Sequence, residues 1–139
     1  MKRRLARLRA VQALYQIDLT DCDADEALES VVDKEEGEKL SDFTKELVYG
    51  TLENLPTLDR IISESLQGWT LDRLGYMERA IVRMALYEMN YIEDIPVNVS
   101  FNEGIELAKA FGGEEASRFV NGVLSKAYEL FQQKIKEKN

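Results

Sequence analysis

Residues 76–91 read YMERAIVRMALYEMNY, and the spacing of their side chains is that of an amphipathic α-helix. Five residues recur at intervals of three or four along one face: Met77, Ile81, Met84, Glu88 and Tyr91. Similar helical patterns fill the rest of the chain, which has two prolines and no convincing alternation typical of strands. The sequence therefore predicts an all-α fold, and a length of 139 residues predicts one domain.

Breaks between the predicted helices are visible as capping and turn residues. The stretch DADE (23–26) resembles a capping box, and DKEEGEK (33–39), which we call the polar linker, reads as a loop. A long apolar rhythm begins at Ser41, and Pro56 either kinks that helix or divides it in two. Thr70 is expected to cap a single turn that stops near Gly75, and the pair Gly112-Gly113 is expected to end a later helix.

Composition argues against catalysis. The chain contains no histidine and one cysteine, which removes the His-based triads, the usual general base and the common zinc ligand sets. Neither a Walker A loop nor a G-x-G-x-x-G turn is present. We therefore expect no enzymatic activity, no cofactor and no metal. A poor signal-peptide pattern and the absence of a long apolar run lead us to expect a cytoplasmic protein with no membrane partner.

Charge is unevenly distributed along the chain. The first ten residues, MKRRLARLRA, are called the basic segment here. Residues 1–17 carry a net charge of +5, whereas residues 18–139 carry −13. Because the Debye length is roughly 8 Å at physiological salt, a polyanion at the N-terminus would respond mainly to the local positive charge. The basic segment is thus either a nucleic-acid contact or a merely solubilising terminus.

A second candidate lies in ASRFVNGVL, residues 116–124. Phe119 and Val120 are adjacent on the predicted last helix, so they cannot both face the same core. One of them is expected at a surface beside Arg118 and Asn121. An aromatic ring next to an arginine and an amide suits stacking and hydrogen bonding of an unpaired base, although a plain packed helical hairpin explains the pattern too.

Three segments together are similar to one family. PVNVSFNEGIELAKAFGGEEASRFVNGVL (96–124), RRLARLRAVQALYQ (3–16) and LDRLGYMERAIVRMALYEM (71–89) resemble the NusB family of bacterial transcription antitermination factors. The resemblance implies an all-α fold of about seven helices in two small bundles, divided here into residues 1–68 and 69–139. It also implies binding of the single-stranded boxA element of nascent ribosomal RNA together with NusE, a small-subunit ribosomal protein. Other Nus factors and RNA polymerase would then be engaged indirectly, without catalysis.

The family's surfaces carry over residue by residue. The RNA surface would include arginines for phosphates, Gln12 and Tyr15 for reading or stacking on bases, and Phe119 for stacking. Glu115 is unusual in an RNA site, and we interpret it either as an acceptor for a base amino group or as a residue that lowers the affinity. The full expected RNA set is Arg3, Arg4, Arg7, Gln12, Tyr15, Glu115, Arg118, Phe119 and Asn121. The surface for the ribosomal protein would comprise Asp72, Tyr76 and Glu78. Core packing is the alternative for Tyr15 and Phe119.

Other functions stay open at this point. A helical interaction or adaptor module with incidental RNA binding would use the same composition, and it could form a homodimer that covers the RNA surface. A helical DNA-binding regulator is a further possibility, although no recognition helix after a tight turn is evident.

Overall fold

The computed structural model describes residues 1–138 and confirms the all-α prediction. Within that range there is no strand, and six helices follow one another along the chain: α1 (Arg3–Thr20), α2 (Ala24–Val31), α3 (Asp42–Glu53), α4 (Leu55–Ser65), α5 (Tyr76–Tyr91) and α6 (Val97–Lys138). A single 3₁₀ turn, Leu71–Arg73, precedes α5. None of the helices in residues 1–138 has the length and apolarity needed to cross a membrane.

The long helix α6 is interrupted at Gly113, where the backbone has φ 75° and ψ −165°. This region of backbone space is accessible almost only to glycine, because any side chain would clash with the neighbouring peptide groups. The predicted stop at the glycine pair is thereby confirmed. Two helical segments result, residues 97–112 and residues 114–138, so the described chain holds seven helical segments in all.

The other helix boundaries follow from capping and proline chemistry. Asp23 accepts a hydrogen bond from the backbone N–H of Asp25 at the start of α2, and Ser41 accepts one from Thr44 at the start of α3. Pro56 lies in the first turn of α4, where its missing N–H has no helical partner to lose. Pro56 therefore divides the long apolar stretch into two helices instead of kinking one.

Helix α5 is the centre of the molecule. It packs against α1, α3, α4 and α6, and nine of its residues are buried. The buried apolar side chains form one continuous cluster from Ala10 in α1 to Phe131 in α6. The predicted core face of the last helix is buried as expected: Val120, Val123, Leu124, Ala127 and Phe131.

The expected division near residue 68 stays a prediction. Helix α4 belongs to the first predicted half, yet it packs against α5 and α6 of the second. Helix α1 likewise packs against α5 as well as against α2 and α3. The two predicted halves therefore share one core.

Candidate nucleic-acid interface

Arg3 and Arg4 project into solvent from the first turn of α1. Arg4 donates to both carboxylate oxygens of Glu103, at 3.0 and 3.2 Å, while its side chain stays 76% exposed. Arg3 pairs with Asp94 at 3.5 Å and lies 4.8 Å from the centre of the Phe43 ring. Exposed ion pairs contribute little to stability, so an incoming phosphate can replace these carboxylates at small cost.

Arg7 differs from its neighbours because it is buried. Its guanidinium donates to the two carboxylate oxygens of Glu88 at 2.9 and 2.6 Å, and the Ser100 hydroxyl donates to the same carboxylate at 2.6 Å. The side chains of Arg7 and Glu88 are only 5% and 1% exposed. Arg7 therefore has no exposed guanidinium with which to meet a phosphate in this structure, and its predicted RNA contact stays a prediction. Arg7 precedes Ala10 by three positions and Val11 by four, so helical spacing already placed it on the buried face.

Arg9 is held by the polar linker, a contact that the sequence did not predict. Its guanidinium donates to both carboxylate oxygens of Glu38, at 2.8 and 2.5 Å. These hydrogen bonds from Arg9 hold the pKa of the Glu38 carboxyl below its usual value. The amide oxygen of Gln12 accepts a further bond from Arg9 at 2.9 Å. Each of the four arginines in the basic segment therefore faces a carboxylate in the free protein.

Tyr15 and Tyr76 connect the two predicted surfaces. Their rings meet edge to face with centres 6.3 Å apart, although Tyr15 belongs to the expected RNA set and Tyr76 to the expected partner set. Arg79 lies 4.8 Å from the centre of the Tyr76 ring and pairs with Asp18 of α1 at 2.6 Å. The two surfaces are therefore contiguous across the packed faces of α1 and α5.

Residues from the second segment of α6 complete the surface. Glu115 and Phe119 lie one turn apart and line a cleft whose opposite wall includes Gly75 and Glu78 at the start of α5. Phe119 is half-buried, and thus neither free in solvent nor part of the closed core. One residue from the expected partner set, Glu78, consequently faces two from the expected RNA set.

Arg118 and Asn121 occupy different positions around the same helix. Arg118 is exposed and lines a second cleft together with Phe119. Asn121 is separated from Phe119 by about 200° around the helix axis and lines neither cleft. Its side-chain oxygen accepts a hydrogen bond from Ser125 at 3.4 Å. The structure therefore groups Arg118 with Phe119 and leaves Asn121 apart.

The expected partner surface is less uniformly acidic than the sequence suggested. Asp72 lies in the 3₁₀ turn, and a hydrogen bond from Thr70 lowers the pKa of its carboxyl. Arg73 and Arg79 lie close enough to Asp72 to stabilise its ionised form as well. Acidic and basic groups alternate on this surface. It therefore suits a partner whose surface carries both signs of charge in a complementary arrangement better than a partner that is uniformly basic.

Sequence reasoning missed one aromatic and two cations on this surface. Trp69 lines both clefts, Arg73 lines the first and Lys126 the second. Trp69 stands directly before the predicted cap Thr70, in a segment where the sequence predicts only a turn. A large aromatic among polar turn residues was the feature that could have indicated it.

The arrangement is suited to binding. Exposed guanidinium groups can pair with phosphates, and partly exposed rings can stack on unpaired bases. Among residues 1–138, no three His, Cys, Asp or Glu side chains come together in a way that could hold a metal ion.

Comparison with known proteins identifies the relatives of this chain. A model of the NusB family matches residues 4–129. The transcription antitermination protein NusB of Halalkalibacterium halodurans is 60% identical over 136 residues, which cover 98% of this chain and 100% of the relative. NusB of Bacillus subtilis is 55% identical over 125 residues, covering 90% of this chain and 93% of the relative. A crystal structure of the antitermination factors NusB and NusE in complex with dsRNA aligns with a TM-score of 0.82 and 33% identity, over 92% of this chain and 96% of that one.

Proposed function

Because this chain belongs to the NusB family, we propose that it is a transcription antitermination factor that binds the single-stranded boxA element of nascent ribosomal RNA together with NusE. The observation that carries the proposal is one surface that combines exposed arginines with partly exposed aromatic rings. It runs from Arg4 on α1, past the Tyr15 and Tyr76 pair, to Phe119 on α6.

The proposed roles follow from exposure and chemistry. Arg3, Arg4 and Arg118 neutralise phosphates, because their guanidinium groups are exposed. Phe119 and Tyr15 stack on bases, since each side chain packs against the core and is still partly exposed. Arg7 has no part in this set because Glu88 holds it inside the protein.

Two further residues have polar roles in the proposal. The Gln12 amide and the Glu115 carboxylate provide hydrogen-bond acceptors at the edge of the stacking surface. Glu115 would accept from a base amino group, while Gln12 would have to release Arg9 to present its oxygen to RNA. Asn121 would contact RNA only where the strand passes beyond the clefts.

Single-stranded RNA fits this surface better than a duplex does. A stacking ring can reach only a base that has left its stack, whereas the bases of an A-form duplex are enclosed. The relative solved with NusE is described with dsRNA, and a duplex of the same sequence is therefore the necessary comparison in any binding assay.

NusE is proposed to bind Asp72, Tyr76 and Glu78. Support comes from the position of Tyr76, which touches Tyr15, and of Glu78, which shares a cleft with Phe119. RNA and NusE would then meet on adjoining surfaces, so each is expected to strengthen binding of the other. Through NusE and further Nus factors the complex would join RNA polymerase in the cytoplasm.

The test is a titration of fluorescently labelled RNA followed by anisotropy. We expect boxA RNA to bind more tightly than a scrambled strand or the boxA duplex, and NusE to increase that preference. Phosphate contacts make binding to single strands weaken with salt, with a logarithmic slope of about −0.7 per contact. Equal affinities for all three RNAs, with and without NusE, would overturn the proposal. Light scattering on the same samples reports whether the chain forms a homodimer.

Matched variants assign the surfaces. Arg4→Gln should lower RNA affinity and make the salt slope shallower by about 0.7, whereas Arg60→Gln, an exposed arginine on α4, should change neither. Asp72→Lys should weaken NusE binding, and Glu129→Lys, which makes the same charge change on the second segment of α6, should not. If both members of either pair behave alike, the corresponding surface is assigned wrongly.

A further inference from the structure

Trp69 is the only tryptophan in the sequence, and its side chain is poorly buried. It is 54% exposed, and the ring lies outside the buried cluster that the helices form. The residue sits on the loop between α4 and the 3₁₀ turn. Tryptophan has a large and mainly apolar side chain. Because half of it stays in water, the fold does not gain the free energy that burial of this surface would give. An exposed ring of this kind is consistent with a surface that a ligand covers.

Trp69 and Phe119 together separate two clefts. The cleft on one side of them contains Glu78 and Glu115, and the cleft on the other side contains Arg118 and Lys126. These two aromatic residues are the ones that both clefts share. The pair is therefore positioned to contact one flat ligand from two neighbouring elements, the loop before α5 and the second segment of α6.

Three cations near Trp69 have no direct ion-pair partner. The guanidinium carbon of Arg73 lies 6.0 Å from the centre of the Trp69 ring. Within residues 1–138, Arg73, Arg118 and Lys126 form no ion pair closer than 4.0 Å. This contrasts with the basic segment, where each arginine already faces a carboxylate. The cleft with Arg118 and Lys126 has no acidic side chain in its lining, so it can accept an anion without displacing one.

We propose that Trp69 is a second base-stacking residue of the RNA surface, which holds an unpaired nucleobase beside Phe119 while Arg118 and Lys126 pair with the adjoining phosphates. The inference rests on the proposed function and extends the RNA site to the loop before α5. Single-stranded RNA is favoured over a protein partner because aromatic rings beside unpaired cations match the alternation of bases and phosphates. Arg118 and Lys126, the unpaired cations of the second cleft, would repel a basic ribosomal protein.

The position of a lone tryptophan in the site makes a direct test possible. Labelled boxA RNA is titrated with the full-length protein while RNA anisotropy and tryptophan emission are recorded in parallel. We expect RNA to quench the Trp69 emission with the same saturation curve that anisotropy gives. Trp69→Ala should weaken RNA binding about five-fold or more, and Trp69→Phe, which keeps a stacking ring, should retain most of the affinity.

Controls separate stacking from a general loss of structure. Tyr49→Ala removes another exposed aromatic side chain, on α3, and should leave RNA affinity within two-fold of the unchanged protein. Lys126→Gln should make the salt slope shallower by about 0.7, as the loss of one phosphate contact requires. Circular dichroism melts of each variant report whether the helices are intact. Quenching of Trp69 emission is measured on the unsubstituted protein, so that result does not depend on whether any variant folds.

The outcomes distinguish this inference from the function on which it rests. If anisotropy reports RNA binding but Trp69 emission stays constant and Trp69→Ala binds normally, the stacking role is overturned while the proposed function stands. If Trp69→Ala weakens binding of NusE and leaves RNA binding unchanged, Trp69 is a protein contact and the inference is wrong. If no RNA binds under any condition, both proposals fall together.

Discussion

The buried pair of Arg7 and Glu88 provides the sharpest test of how the basic segment is used. Glu88→Gln keeps the shape of the side chain and an oxygen for Ser100, but it removes the negative charge from a site that is about 1% exposed. The Arg7 guanidinium is then left inside the protein with no opposite charge. Removal of one partner from a buried ion pair costs about 3–5 kcal/mol.

That loss is large compared with the stability of a small protein. Domains unfold with a free energy of about 5–15 kcal/mol, so Glu88→Gln should remove a substantial fraction of it. The urea midpoint should fall by roughly 2 M, since the dependence on urea is about 1–3 kcal/mol per molar. Urea unfolding followed by circular dichroism measures both quantities. The exposed variant Arg4→Gln is the control, and its free energy of unfolding should change by no more than about 0.5 kcal/mol.

A double variant distinguishes a structural pair from an RNA contact. Arg7→Met with Glu88→Leu replaces both charges by apolar groups of similar size, and such replacements are often neutral or stabilising. We expect the double variant to be more stable than either single variant and to bind RNA normally. If Arg7→Met alone is as stable as the unchanged protein yet binds RNA more weakly, Arg7 acts as a phosphate contact and not as half of a structural pair.

Three further predictions address the interruption of α6, the packing of α5 and the polar linker. Gly113→Ala should lower the free energy of unfolding by about 1–3 kcal/mol in urea melts, because its backbone angles exclude a side chain. Gly50→Ala should lower it by about 1–3 kcal/mol or more in the same assay, since a Cβ at Gly50 would overlap the ring of Tyr87. The pKa of Glu38 is lowered by its bond from Arg9, so the linker contact should be complete above the usual glutamate pKa and lost as pH falls through the lower value. The protection of residues 33–39 from hydrogen exchange, measured relative to the intrinsic rate at each pH, should therefore fall on acidification, whereas Glu38→Gln should show low protection at every pH.

The sequence predicted those helix boundaries that depend on residues close together in the chain. The glycine pair in α6 and the acidic cap of α2 were recognised because backbone freedom and side-chain capping act within a few residues. Pro56 could not be resolved from the sequence, because apolar periodicity continues on both sides of it. The structure shows that a short connection at Asn54 suffices to start a new helix.

The features that the sequence did not predict are contacts between distant parts of the chain. Arg7 was grouped with its basic neighbours, although its place on the apolar face of α1 and the place of Glu88 on that of α5 together indicated a buried pair. Contact between Tyr15 and Tyr76 depends on how α1 crosses α5, which no local pattern encodes. Exposure of Trp69 likewise follows from the path of a loop after the helices have packed. The types of residue on the surface were thus more predictable than their positions relative to one another.

The break at Gly113 also determines how far the side chains of the last helical segment move when the angle between the two segments of α6 changes. At 1.5 Å per residue the segment 114–138 is a rod about 37 Å long, and the one non-helical residue before it would be the pivot of any bending. A rotation of about 10° at the pivot would carry the far end through about 6 Å, but Phe119, about 9 Å along the rod, would move less than 2 Å. Glu115, Arg118 and Phe119, which are proposed to meet RNA, therefore lie near Gly113, where a change in angle displaces side chains least. The distal turns of this segment pack against α4, and this packing holds the angle at Gly113 constant.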